Sequence, residues 1–198
     1  MYPEHTTLAY EEAFTQGSDY LECDLTITKD LKLICSHEPW LSQTTNVNCT
    51  PAINEQLCGP PHADFSDRLT TYNMDDHDPD FKWSDAGNIT DYFTYDFDLD
   101  ELRTLRRKQL FSFRDQSYNW EYGFVTFQEY IDIAKRLGMG IYPEIKHGFA
   151  TNQILQSRNE QVTMEELVFN ELERNGYHNV DDDCIIQAFE LPSLQVIV

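Results

Sequence analysis

Tyr20-Leu21-Glu22-Cys23-Asp24-Leu25-Thr26 is the stretch that decides the fold. Leu21, Cys23 and Leu25 recur at every second position and so share one face of a strand, while Glu22 and Asp24 share the other. A strand flanked by helices is covered on both sides, where unpaired acids are costly. Two carboxylates about 6 to 7 Å apart along the backbone either form the solvated face of an edge strand or, on a strand covered on both sides, hold a hard cation between them, and the flanking helices favour the cation. Upstream, Tyr10, Ala13, Phe14 and Gly17 fall at the spacing of one helical face, which predicts a helix over 7–16 stopped by Gly17. Downstream, a turn at Thr28-Lys29-Asp30 leads into a short apolar strand over 31–35, and Pro39 after Ser36-His37-Glu38 forbids a helix interior there.

Regular patterning returns with a short helix over 99–105 that turns Leu102 and Leu105 inward. Thr126 and Glu129 make a capping box for a helix through Leu137, with Gly138 as its stop. Gly140 to Lys146 reads as a strand in which Glu144 and Lys146 share a face, although Pro143 removes a ladder hydrogen bond. Thr163 and Glu166 open a helix that buries Leu167, Val168 and Leu172 and ends at Gly176. Cys184 to Phe189 is the next strand, and Leu191 to Val198 begins another helix. Strand and helix in alternation predict an α/β fold with a parallel sheet. Between about 42 and 98 the pattern turns acidic, with Asp75, Asp76, Asp78, Asp80, Asp85, Asp91, Asp96 and Asp98. Such a length exceeds usual connections and reads as an insertion overhanging the mouth of the fold.

Fourteen basic residues against thirty-five acidic ones leave a formal charge of -21. That charge disfavours nucleic acid and anionic membrane surfaces as partners. No run of about 18 apolar residues is present, so no membrane span is expected. The start, Met1-Tyr2-Pro3-Glu4-His5, lacks the pattern of a signal peptide. Five cysteines without a C-x-x-C pair argue against structural zinc. Cys49 and Cys58 could bridge in an oxidising compartment, and the acceptors Asn48-Cys49-Thr50 and Asn88-Ile89-Thr90 point the same way, towards a secretory setting for the parent protein. The length of 198 residues suits one domain.

His37, at a strand end, is a candidate general acid or base because its ordinary pKa is near neutrality. Glu144 could add a third carboxylate to Glu22 and Asp24, and Lys146 could neutralise a phosphate oxygen. His5, His62, His77, His147 and His178 read as structural or surface residues, with His147 a candidate support for the site through its proximity to Lys146.

Pro3-Glu4-His5-Thr6, Glu22-Cys23-Asp24-Leu25, Thr28-Lys29-Asp30, Ser36-His37-Glu38-Pro39 and Pro143-Glu144-Ile145-Lys146 resemble, in this order, the successive blocks of glycerophosphodiester phosphodiesterases. The resemblance covers about 2–41 and 99–147 and, more loosely, 184–194. It implies a partial TIM (β/α)8 barrel of the PLC-like phosphodiesterase type, with Glu22, Asp24 and Glu144 binding Mg2+ or Ca2+. His37 matches one of the family's two catalytic histidines, and Lys146 its lysine at the substrate phosphate. The implied substrate is a small-molecule glycerophosphodiester, cleaved to glycerol 3-phosphate and an alcohol in lipid and glycerol metabolism. The family's His-Arg-Gly first strand and its later strands are expected outside this chain, since a whole barrel needs about 250 residues. On this view residues 1–198 are one partial domain with an acidic insertion at about 42–98. His5 stands where the family has asparagine, Leu31 where it has glycine, and Glu38 where it has aspartate. A degenerate, catalytically inactive member serving as a cation-binding module is one alternative, and a phospholipase D of the spider-toxin type is another. The Pro-Glu-Ile-Lys block and the Thr-Lys-Asp turn favour the phosphodiesterase over the latter.

Overall fold

In the computed structural model, which describes residues 1–49, 58–74 and 87–197, helices and strands are mixed as the sequence predicts, but runs of consecutive strands and consecutive helices interrupt the expected alternation. Expectations resting on Thr50, Pro51, His77 and the acidic run from Asp75 to Asp85 lie outside the described residues. In chain order the elements are α1 (Thr7–Thr15), β1 (Tyr20–Ile27), β2 (Leu33–Cys35), β3 (Leu69–Asn73), β4 (Asn88–Tyr92), α2 (Leu99–Leu102) and α3 (Phe127–Leu137). Then follow β5 (Gly140–Ile145), α4 (Gly148–Ser157), α5 (Met164–Arg174), β6 (Gln187–Ala188) and α6 (Leu191–Ile197).

The main sheet has the order β2-β1-β5-β6, and β3 and β4 form a separate antiparallel pair. β1 runs parallel to β5, and β5 to β6, but β1 and β2 are antiparallel in the register Leu25↔Cys35. The expected wholly parallel sheet is therefore mixed. The reason is the tight turn after Ile27, where Thr28 Oγ1 donates to Asp30 Oδ1 at 2.6 Å and accepts from Lys32 N at 2.9 Å. So short a link can join strands only antiparallel, because a parallel crossover needs a dozen or more residues. Leu31 takes the left-handed backbone of that turn (φ 59°), so β2 begins at Leu33 rather than at residue 31.

Pro143 also shortens a predicted strand. It sits inside β5 opposite Cys23, and its lack of an N–H limits pairing on the other edge to Glu144↔Gln187 and Ile145↔Ala188. Cys184 is left as an isolated bridge to Ile141, so the strand expected over 184–189 is confined to β6.

The capping boxes at Thr126/Glu129 and Thr163/Glu166 are present, and Gly138 ends α3 in the left-handed region (φ 68°). α3 packs across β1, β2 and β5 and buries Phe127, Tyr130, Ile131 and Ala134 against Leu21, Leu25 and Ile141. Each such aliphatic side chain contributes about 1.5–3 kcal/mol on burial. Tyr130 also ties the two parallel strands, donating to Leu21 O at 2.5 Å and accepting from Tyr142 N at 3.0 Å. α1 touches α3 along a narrow stripe through Tyr10 and Ala13, so Phe14, expected inward, is 45% exposed.

Cys49 and Cys58 are bridged as the sequence suggested, and Cys23, read there as a core residue, is also bridged, to Cys35. Among the described residues no helix is long and apolar enough to cross a membrane.

Candidate active site

β1 and β5 lie side by side and in parallel, with Asp24 opposite Glu144. The alternation that buries Leu21, Cys23 and Leu25 under α3 therefore turns Glu22, Asp24 and Glu144 together onto the other face. Lys146 follows at the end of β5, and the Ser36 amide, bonded to Asp24 O at 2.8 Å, carries the chain past β2 so that His37 comes alongside. Arg107, fully buried, holds the same strand end by donating to Cys35 O at 2.6 Å and stacking on Phe124. Burial pulls its guanidinium down to about 10. All five residues singled out from the sequence, Glu22, Asp24, His37, Glu144 and Lys146, line one cleft of about 520 Å³. Trp40 and Phe189 add aromatic walls.

The electrostatics of the cleft follow from three acids and one lysine. Glu22 reaches solvent along one edge, yet partial desolvation in the cleft and the charges of Asp24 and Glu144 push it up to about 8. Burial and the neighbouring Asp24 charge push Glu144 up to about 7, against the opposing pull of Lys146. Asp24 is buried too, but hydrogen bonding from His5 and the charges of His5 and Lys146 outweigh that and hold it below the usual carboxylate range. Lys146 Nζ lies 3.3 Å from Glu144 Oε1 and 3.8 Å from Asp24 Oδ1. Burial works against its charge, and these carboxylates with Glu38 outweigh it and raise its pKa.

A hard divalent cation fits this donor set. Among the described residues Glu144 Oε1 is a buried carboxylate oxygen with no well-aligned hydrogen-bond donor, only the Lys146 ion pair, and the other near donors are carboxylate oxygens. Ligand atoms of His5, Glu22 and Asp24 lie within 4.8 Å of one another. The His5 ring is occupied at both nitrogens, however, with Nε2 3.0 Å from Asp24 Oδ2 and Nδ1 3.1 Å from the Tyr10 hydroxyl. It orients Asp24, and the three carboxylates are left as the groups that could hold the ion.

His5 is thus not the bystander that its sequence context suggested. Its place beside Thr6, whose side chain caps α1, and its left-handed backbone (φ 52°) fix it under the acid pair. The signal that could have found it was its position within the Pro3-Glu4-His5-Thr6 block. Gln187 was also missed, and its amide donates to Glu144 Oε2 at 2.6 Å. His62, in contrast, is structural as expected, bridging Asn46 O and Ala63 O and stacking on Phe65.

Acidic groups gathered on one face where β1 and β5 run side by side and parallel, with a lysine and a histidine at the strand ends, fit the kind of site that α/β barrel enzymes carry. The glycerophosphoryl diester phosphodiesterase family matches residues 1–198, and the chain belongs to that family. It is 40% identical over 153 residues, 76% of its length, to glycerophosphodiester phosphodiesterase GDPD6 of Arabidopsis thaliana. It superimposes with a TM-score of 0.57, at 18% identity, on the glycerophosphodiester phosphodiesterase of Agrobacterium tumefaciens, covering 100% of this chain and 57% of that one. An Oleispira antarctica phosphodiesterase solved in complex with the product sn-glycerol-3-phosphate gives the same TM-score of 0.57 at 18% identity, over 98% of this chain and 55% of that one. These likenesses establish the TIM-barrel fold, here a partial barrel. The chain spans 35% of the Arabidopsis relative and a little over half of each of the two structures.

Proposed function

We propose that this chain contributes the metal-binding and phosphate-binding half of a phosphodiesterase site that hydrolyses glycerophosphodiesters to glycerol 3-phosphate and an alcohol. The observation that carries the reading is the convergence of Glu22, Asp24, Glu144, Lys146 and His37 on one cleft, within a chain of this family. Glu22, Asp24 and Glu144 would hold a Mg2+ or Ca2+ ion, which would supply Lewis-acid charge at the phosphoryl group. Lys146 stands between those carboxylates and His37, placed to take a second phosphoryl oxygen as a compact cation. His37 carries the proton transfer to or from the reacting oxygens. The Glu38 hydrogen bond raises its pKa above the ordinary histidine value, against the effect of burial and of Lys146. Glu38 is half-buried, which works against its charge, but the bonds from His147 and His37 hold it down at about 2, so it stays a carboxylate. The sn-glycerol-3-phosphate bound by the Oleispira antarctica phosphodiesterase supports glycerol 3-phosphate as the retained product.

The test is release of glycerol 3-phosphate from glycerophosphocholine by the full chain with added Mg2+ or Ca2+, with Glu22→Gln as control. Turnover that the control abolishes is the expected result. Metal binding without turnover would fit either a half-site that is inactive by itself or the catalytically inactive, cation-binding reading, and turnover regained when the rest of the barrel is appended would decide for the first.

A further inference from the structure

We propose that His147 is a positioning residue for this cleft: it anchors the Glu38 carboxylate so that Glu38 in turn fixes the ring of His37. The inference rests on the role given to His37 above. Glu38 uses its two oxygens on two different histidines, with Oε2 2.8 Å from His147 Nε2 and Oε1 3.2 Å from His37 Nδ1. An ionised carboxylate only accepts hydrogen bonds, so each facing ring nitrogen must carry a hydrogen. His37 is thereby held with hydrogen on Nδ1 and presents Nε2 to the cleft, where Lys146 Nζ stands 3.5 Å away. The groups facing His37 are then Glu38 on its own segment, Lys146 at the end of β5, and Asp24 and Glu22 on β1.

His37 itself is 46% exposed, and a side chain so open has little packing to set its ring. His147 has what His37 lacks. Its side chain is 10% exposed, its ring centroid lies 5.5 Å from that of Trp40, and it enters α4 in the left-handed region (φ 48°). The side chain makes no capping hydrogen bond to α4, so helix capping does not account for a histidine here. A left-handed backbone in a non-glycine residue is uncommon and clusters at functional sites, where the surrounding structure over-determines it. The contact also joins the exits of β2 and β5, 109 residues apart, so the proton-transfer segment is referenced to the strand that carries Glu144 and Lys146.

Two substitutions separate the side chain from the backbone. His147→Asn keeps a residue that tolerates the left-handed region, but its amide nitrogen ends where Nδ1 was, too short for Glu38. His147→Gln reaches the position of Nε2 and can donate. The first measurement is the imidazole 15N spectrum of the full chain, without metal or substrate. Wild type is expected to show His147 protonated at Nε2 and neutral His37 protonated at Nδ1, and the opposite form of either ring overturns the proposal without any variant. His147→Asn is expected to move neutral His37 towards the Nε2-protonated form that free histidine favours, and His147→Gln to restore the wild-type pattern. A native amide spectrum with an unchanged His37 ring in His147→Asn also overturns it. In glycerophosphocholine hydrolysis, kcat falls about 10- to 100-fold in His147→Asn with KM unchanged. Absence of hydrolysis in wild type, with both ring patterns as expected, counts against the assigned reaction and leaves the coupling standing.

Discussion

The carboxylates inside the cleft and the one at its rim are the same chemical group in opposite surroundings. Glu22 and Glu144 are pushed up to about 8 and about 7, by burial and by the charge of Asp24, while Glu38 is held down at about 2 by two imidazole donors that outweigh its burial. Burial acts in the same direction on all three. What differs is the count of donors and cations, because the cleft sets three acids against Lys146 and the rim sets one acid against two histidines. The rim is balanced within the protein. The cleft is left short of positive charge, which a divalent cation would supply.

Removing a cleft carboxylate tests that difference most strongly. Asp24→Asn is expected to lower Mg2+ affinity at least about 100-fold, the upper end for residues one shell further out, as measured by titration calorimetry. An unchanged affinity would place the ion elsewhere. At the rim, Glu38→Gln removes the balanced acid and should lower kcat by about 10- to 100-fold while cation affinity is retained. Loss of metal binding in that variant would mean that rim and cleft are one electrostatic unit.

Gln187→Ala is a finer probe of the cleft, since it deletes the donor to Glu144 Oε2. A hydrogen bond worth about 1 kcal/mol predicts about a fivefold weaker cation affinity near neutral pH, with Glu144 raised further. The smallest effects are the pH slopes of stability, read as urea midpoints in EDTA. Glu22 and Glu144 titrate near 4.5 when unfolded but near 8 and 7 when folded, so the native state binds more protons between those values. Stability of the metal-free chain therefore falls as pH rises from about 4.5 to about 8. Glu38 behaves in the opposite sense: its contribution is present above its unfolded value of 4.5 and is lost as pH falls towards about 2. Glu22→Gln should flatten the alkaline side, Glu38→Gln the acid side, and saturating Mg2+ the alkaline side alone. Parallel slopes in both variants would erase the contrast between the two regions.

The features legible before folding are those with short-range causes. The period of two that put Glu22 and Asp24 opposite Leu21, Cys23 and Leu25, and the three-residue spacing of Thr126 with Glu129 and of Thr163 with Glu166, are properties of neighbouring residues, and all are present in the structure. The Glu144/Lys146 pair was legible for the same reason. The antiparallel β1–β2 turn was less so, because an apolar run shows a strand without showing its direction.

By itself, the sequence determined which side chains share a strand face, where helices begin and stop, and which family motifs occur in order, since each depends on backbone geometry over a few residues. Tertiary structure alone decided the partners. His5 meets Asp24 across 19 residues, Cys23 bonds Cys35 across a hairpin, Gln187 reaches Glu144, and His147 meets Glu38 across 109 residues. The Cys23–Cys35 and Gln187–Glu144 pairings follow from strand register, where a shift of one residue would turn the shifted strand's side chain to the opposite face, whereas His5, Glu38 and His147 are brought in by the segments that flank the strands.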